Sequence, residues 1–340
     1  MSGGAGQIKA ERTRFRASPE DRLLTPDMAE ILERLAREDR GLADPTTIAP
    51  AEGRALAEAT NRRWNRDLPA IRQSWDFTLD VPHSRSLNCR LITPSETASG
   101  LIVFVHGGGW AFCSMDTHEY AARLLALSAD AHVLTFDYRL APEHPFPTGL
   151  NDCVAVFQAV LSGQGHFAGI NRPLALAGDS AGANLALATM LSQNENGAAL
   201  PDCGLLFYGV YNDDFCSPSY RDCENGPGLT RAKMMRYWDF YTPDRAQRDN
   251  PLVSPFKADD RALAALPPLF INAAAIDPLR SDSEMLAERL VALGRRDIYR
   301  LHGGVVHGFM QMGSVLAEAR SAAEEAAKAF REFTGTEETT

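Results

Sequence analysis

Ser180 sits between two glycines in the stretch Gly178-Asp179-Ser180-Ala181-Gly182, and its setting is that of a nucleophile. The apolar run at 174–177 reads as a buried strand, and 184–191 continues as a good helix former. In a strand–turn–helix of this kind the serine is held in a strained backbone conformation with Oγ clear of the sheet. Gly178 and Gly182 lack Cβ atoms, so strand and helix can pass close together. The helix N-terminus aims N–H groups and the positive end of its dipole at any negative charge that develops near Ser180.

A serine hydroxyl needs a general base, and that base needs an orienting acid. After an elbow of this type they follow in the order Ser, Asp or Glu, His. Asp277 comes shortly after the apolar run 269–273, and Pro278 enforces a turn, which sets a carboxylate at the sheet edge that carries Ser180. Taken singly, an Asp-Pro pair is more often a helix-starting turn. His307 lies in the loop after the last expected strand, 298–301, where it can hang back over that edge. Its rival, His302, sits at the strand end, where the pleat fixes side-chain direction, so His307 is preferred. His83, His118, His132, His144 and His166 have no paired acid or strand-end setting and read as surface or structural residues. His106-Gly107-Gly108-Gly109-Trp110 follows the apolar run 101–105 directly. Three consecutive glycines are costly in conformational entropy, so backbone there must approach something closely. A mobile hinge is one reading. An oxyanion hole, built from N–H donors, fits the position after the third strand better.

The elements around these residues alternate. Strands are expected at 75–79, 88–92, 101–105, 133–136, 174–177, 205–208, 269–273 and 298–301. Helices are expected at 117–129, 150–161, 282–293 and 317–333, a pattern that predicts a mostly parallel sheet with helices on both faces. Thr25-Pro26 opens an earlier helix with a stripe of Met28, Ile31, Leu32 and Leu35, ended by Gly41, and a second runs over 50–64. Both precede the first strand and read as a cap layer whose stripe packs over the catalytic face. Residues 212–253 differ in texture and carry one helix, 231–241, which reads as an insertion that adds to the cap. The division is therefore 1–70 as cap helices and 71–340 as the catalytic domain. Residues 1–24 are polar and are expected to lie loosely on the surface.

Composition sets outer bounds. A chain of 340 residues with 45% hydrophobic and 23% charged residues suits one large soluble domain with an appended piece. The net charge of −10 argues against nucleic acid or an anionic membrane as partner. The six cysteines show no metal-type spacing and read as buried, reduced thiols. No run approaches a membrane span and the N-terminus has no apolar leader, so a cytoplasmic protein is expected. The expected partner is a small-molecule ester, with a homodimer as a candidate assembly.

His106-Gly107-Gly108-Gly109-Trp110, Asp137-Tyr138-Arg139-Leu140-Ala141-Pro142-Glu143-His144, Gly178 to Gly182, Asp277-Pro278-Leu279 and His307-Gly308-Phe309 occur in this order. Together they resemble the hormone-sensitive-lipase-like family of α/β-hydrolases, the bacterial family IV esterases, over roughly residues 70–335. The N-terminal helices also resemble that family's cap. The resemblance implies Ser180 as nucleophile, His307 as general base and acid, and Asp277 as orienting acid. It implies the N–H groups of Gly108, Gly109 and Ala181 as the oxyanion hole. His106 would brace the glycine loop, and Arg139 and Glu143 would fix loops around the site. Ala183 departs from the family, which often has a third glycine there.

The implied activity is a serine carboxylesterase on short- to medium-chain acyl esters, working through an acyl-enzyme with no metal or organic cofactor. A lactonase or a deacetylase of a small metabolite would use the same residues, and a non-catalytic ligand-binding member is the rival from another class. Trp110, Phe112, Phe215, Trp238 and Tyr241 are the candidates for an apolar pocket lining, although core packing explains each aromatic singly at least as well.

Overall fold

Residues 15–81, 86–170 and 172–336 are described by the computed structural model. His83 falls outside them, as does the 1–14 part of the stretch expected to lie loosely. The elements run α1 (Pro26–Glu38), α2 (Pro50–Asn61), β1 (Gln73–Leu79), β2 (Leu87–Thr93), β3 (Leu101–Val105), α3 (Glu119–Ala129), β4 (His132–Phe136), α4 (Thr148–Ser162) and β5 (Leu174–Asp179). Then come α5 (Ala181–Glu195), β6 (Cys203–Phe207), α6 (Pro218–Asp222), α7 (Arg231–Tyr241), α8 (Asp260–Ala264), β7 (Leu269–Ile276), α9 (Arg280–Ala292), β8 (Ile298–Val306) and α10 (Ala317–Thr334). The strands form one sheet in the order β1-β2-β4-β3-β5-β6-β7-β8. The pairings β1–β2 and β2–β4 are antiparallel, and every later pairing is parallel.

Every residue of β3, β5, β6 and β7 is buried, which accounts for their near-continuous apolar sequences. One buried layer joins the sheet to α4, α5 and α9, and the other joins it to α3 and α10. The glycine loop, Ser180, Asp277 and His307 directly follow β3, β5, β7 and β8. All four therefore share the carboxyl edge of the sheet, where open α/β sheets bind their ligands.

One expectation changes. Residues 15–24 are docked rather than loose. Phe15 packs on Tyr299 at 5.6 Å, Arg16 pairs with Glu284 and Glu288, and the Thr25 N–H donates to Gly304 O at 3.1 Å. This strap lies along β8, an edge strand whose unpaired backbone groups need cover. The stripe of α1 packs on the loop that carries His307: Met28 and Ile31 share a buried cluster with Trp64, Phe309, Met310, Met312 and Leu316. The second N-terminal helix ends at Asn61, and a 3-10 turn carries the chain on through Trp64. Among the cysteines, Cys113 is half-buried and Cys216 exposed, while the other four are buried thiols as expected.

The closest backbone approach is at the elbow. A Cβ on Gly182 would stand 1.9 Å from Val105 O, and one on Gly178 would stand 2.5 Å from the carbonyl carbon of Gly182. Ala183, by contrast, is accommodated in the core beside α4. Gly182→Ala should therefore lower the urea unfolding midpoint by the equivalent of ~3 kcal/mol or more, or give insoluble protein. An unchanged midpoint would show that β3 and α5 can separate freely.

Candidate active site

Ser180 has φ 55° and ψ −120°, the strained turn expected of the motif, and it is held there by its N–H donating to Phe207 O at 2.9 Å. The turn leaves Oγ 2.9 Å from His307 Nε2. His307 Nδ1 lies 2.7 Å from Asp277 Oδ2. A carboxylate only accepts, so Nδ1 carries the imidazole proton and Nε2 is free to take the proton of Ser180. Asp277 is fully buried, and its Oδ1 accepts the Leu279 N–H at 2.8 Å, which fixes the carboxylate plane. Tyr208 meets the His307 ring edge-on at 4.9 Å. His302, the rival, points instead toward α10, with Nε2 3.4 Å from Glu325 Oε2.

The glycine loop follows β3 at the same sheet edge. Gly108, Gly109 and Trp110 all have positive φ, of 111°, 59° and 58°, a conformation that glycine adopts readily. Among the described residues nothing accepts a hydrogen bond from the N–H of Gly108, Gly109 or Ala181. Backbone donors left free in this way can stabilise a developing oxyanion. Asp179 Oδ1 anchors the loop by accepting the Gly107 N–H at 2.9 Å. Burial alone would raise the Asp179 carboxyl. His118, the Gly107 N–H and His307 outweigh it and hold the group below the usual carboxylate range.

His106 braces the loop from behind. Its Nδ1 lies 2.8 Å from Gly107 O, and its ring stacks on Tyr138 at 4.4 Å. Burial pushes its pKa down to about 3, so it stays neutral. Arg139 grips Asp152, and Glu143 pairs with Arg54, which also donates to Ala111 O at 2.9 Å. His118, read as lacking an acid, has one: its Nε2 is 3.4 Å from Asp179 Oδ1.

The aromatic candidates separate. Trp110, Trp238 and Tyr241 are core residues, with exposures of 1%, 0% and 2%. Trp110 stacks on Tyr241 at 4.3 Å and meets Trp238 edge-on at 5.1 Å. Its indole N–H donates to Asn184 Oδ1 at 3.3 Å. Phe112 belongs to a small buried cluster with Ala57, Ala111 and Ala141. Phe215 is half-buried against Tyr220. The aromatic that does lie against the oxyanion loop is Tyr237, whose ring would be 2.4 Å from a Cβ on Gly109. Helical spacing explains the sorting: 238 and 241 share the core face of α7, while 237 and 240 share the face toward Phe112. Asn184 was also missed. It bonds Val210 O and Val253 O and so ties the elbow helix to both ends of the insertion.

A cleft of ≈ 260 Å³ opens beside His307, lined by Leu35, Asp39, Thr60, Asn61, Arg63, Trp64, Gly308, Gln311 and Met312. The first two helices thus wall the site on the histidine side. Among the described residues no group of His, Cys, Asp or Glu side chains could hold a metal ion, and no helix is long and apolar enough to cross a membrane.

Fold, edge placement and site geometry together define a class, and residues 102–311 match the family model described as alpha/beta hydrolase fold. The chain belongs to the α/β-hydrolase family, on its hormone-sensitive-lipase-like branch. Carboxylesterase NlhH of Mycobacterium tuberculosis is 33% identical over 290 residues, covering 82% of this chain and 89% of its own length. The acetyl esterase of Salmonella schwarzengrund is 31% identical over 277 residues, covering 79% and 83%. A thermostable esterase from Pseudomonas putida superposes with a TM-score of 0.85 at 26% identity, over 94% of this chain and 99% of its own. An ester-hydrolase from the Lake Arreo metagenome gives 0.86 at 29% identity, over 92% and 100%.

Core placement of Trp110 has a measurable consequence. Trp110→Ala should cost ~3–5 kcal/mol of unfolding free energy, read from urea denaturation, as expected for deleting a packed indole. A loss below ~1 kcal/mol would return Trp110 to the pocket wall.

Proposed function

We propose that this chain is a serine carboxylesterase that cleaves short- to medium-chain acyl esters through an acyl-enzyme. The observation that carries this reading is the Ser180–His307–Asp277 line, at 2.9 and 2.7 Å, at a sheet edge that also carries three backbone N–H groups with no acceptor among the described residues. The relatives' names, carboxylesterase and acetyl esterase, point the same way. Ser180 Oγ attacks the ester carbonyl carbon while its proton passes to His307 Nε2. Asp277 holds the imidazole in the tautomer that accepts this proton and stabilises the imidazolium that forms. The tetrahedral oxyanion takes the N–H groups of Gly108, Gly109 and Ala181. His307 then gives its proton to the departing alkoxide, which leaves Ser180 acylated. Water repeats the sequence, with His307 as base toward the water and as acid toward Ser180, releasing the carboxylic acid.

The N-terminal helices and the 212–253 insertion act as the cap in this reading. Supporting it, α2 and α7 both reach the glycine loop, through Arg54 to Ala111 O and through Tyr237 over Gly109. A capped pocket has finite depth, which favours acyl chains of about two to eight carbons.

Hydrolysis of p-nitrophenyl esters from acetate to laurate tests the reading. kcat/KM should peak within that short range and fall at longer chains. Ser180→Ala and His307→Ala should each lose about 10³-fold or more in kcat with circular dichroism unchanged. His302→Ala should lose no more than its effect on folding. Ester turnover surviving in Ser180→Ala, or lost in His302→Ala instead of His307→Ala, would overturn the assignment.

A further inference from the structure

Beside the line from Ser180 to Asp277 runs a second acid–histidine contact, fully enclosed. Asp179 is the residue before the nucleophile and is 2% exposed, and His118, at the start of α3, is 1% exposed. We propose that Asp179 and His118 work as a pair that holds the glycine loop in place for the oxyanion, which makes both positioning residues for the reaction. This deepens the ester-hydrolase reading above and rests on it.

The contacts on Asp179 define the pair's task. Its Oδ1 accepts the Gly107 N–H at 2.9 Å, one residue before the first oxyanion donor. Its Oδ2 would be 2.7 Å from a Cβ on Gly107, so carboxylate and loop are in tight contact, and Tyr208 Oη lies 3.4 Å from the same oxygen. A displacement at Gly107 passes directly to Gly108 and Gly109. An acceptor at this depth must be charged to hold the loop strongly, and a buried carboxylate with no counter-charge is strongly unfavourable.

His118 supplies the compensation. The Thr117 hydroxyl lies 2.9 Å from both Ser114 O and His118 Nδ1 and can donate its proton to the ring, which leaves the imidazole proton for Nε2. Nε2 faces two groups, Asp179 Oδ1 at 3.4 Å and the Gln311 side-chain amide at 2.8 Å. With a proton on Nε2, His118 donates toward Asp179 Oδ1, the Gln311 amide being turned to present its oxygen; such amide orientations are set by the bonding network. His106, whose ring lies 5.6 Å from that of His118, is neutral and does not compete for this role. Gln311 belongs to the loop that carries His307. The pair thus joins all three parts of the site: the glycine loop at Gly107, the elbow at Asp179 and the histidine loop at Gln311.

The test uses the full chain and p-nitrophenyl acetate. Asp179→Asn and His118→Phe should each lower kcat by about 100-fold, the effect of disturbing an oxyanion donor, with KM changed by less than about threefold. The affinity for a trifluoromethyl ketone, which forms the tetrahedral adduct, should fall by the same factor as kcat/KM. His118→Asn, which keeps a donor, should recover about tenfold over His118→Phe. The double variant should lose no more than the worse single one, because the residues act as a unit. Losses that multiply, a kcat within twofold of wild type in a folded variant, or unaltered ketone affinity would overturn the proposal. Where His118→Phe does not fold, His118→Asn and Asp179→Asn against wild type decide by the same criteria. A wild-type chain that hydrolyses no ester would instead defeat the ester-hydrolase reading itself, a failure visible before any variant is made.

Discussion

The carbonyl oxygen of Val105 lies 1.9 Å from where a methyl on Gly182 would stand, and the site depends on that contact. It lets the first turn of α5 press against the end of β3. The elbow and the glycine loop are thereby brought within a single hydrogen bond of each other, Gly107 N–H to Asp179. Ser180 is strained as a result, and a strained residue persists only where its surroundings over-determine it. Here the over-determination comes from burial on both faces of β5, from the Phe207 carbonyl and from a helix whose inner residues are buried for almost four turns.

Above the sheet edge, aromatic packing replaces hydrogen bonding as the main constraint. Trp110 leaves the glycine loop in a left-handed conformation and inserts its indole against Trp238 and Tyr241 of α7. Tyr237 lies over Gly109 from the same helix. The insertion is thus fastened to the glycine loop, and any shift of α7 changes that loop's geometry. From the other side Arg54 of α2 holds Ala111 O and Ala141 O, joining the N-terminal helices to the same loop. Donors fixed in this way need little reorganisation when charge develops, which is the condition for electrostatic catalysis.

Much of this was legible in the sequence because it is local. The run at 101–105 and the helix at 231–241 have the bounds read from their apolar and flanking residues. The glycines of the elbow and loop mark backbone that no side chain could share. Ser180, His307 and Asp277 meet as their strand-end positions imply. Less legible were features fixed by tertiary partners. Composition cannot tell which face of α7 turns inward, so Tyr237 was passed over for Trp238 and Tyr241. His118 and Asp179 lie 61 residues apart and meet only because β3, β5 and α3 converge. The strap at 15–24 reads as loose because its partners, Glu284, Glu288 and Gly304, lie far along the chain.

The central claim is that a nucleophile, a base and a preformed set of backbone donors act on one carbonyl. The crystal structure of the protein inactivated by a p-nitrophenyl alkylphosphonate measures this directly. The account predicts phosphorus bonded to Ser180 Oγ, with one phosphoryl oxygen about 2.7–3.1 Å from the N–H groups of Gly108, Gly109 and Ala181. Phosphorus on another residue, or a Ser180 adduct whose oxygen points away from those donors, would contradict it.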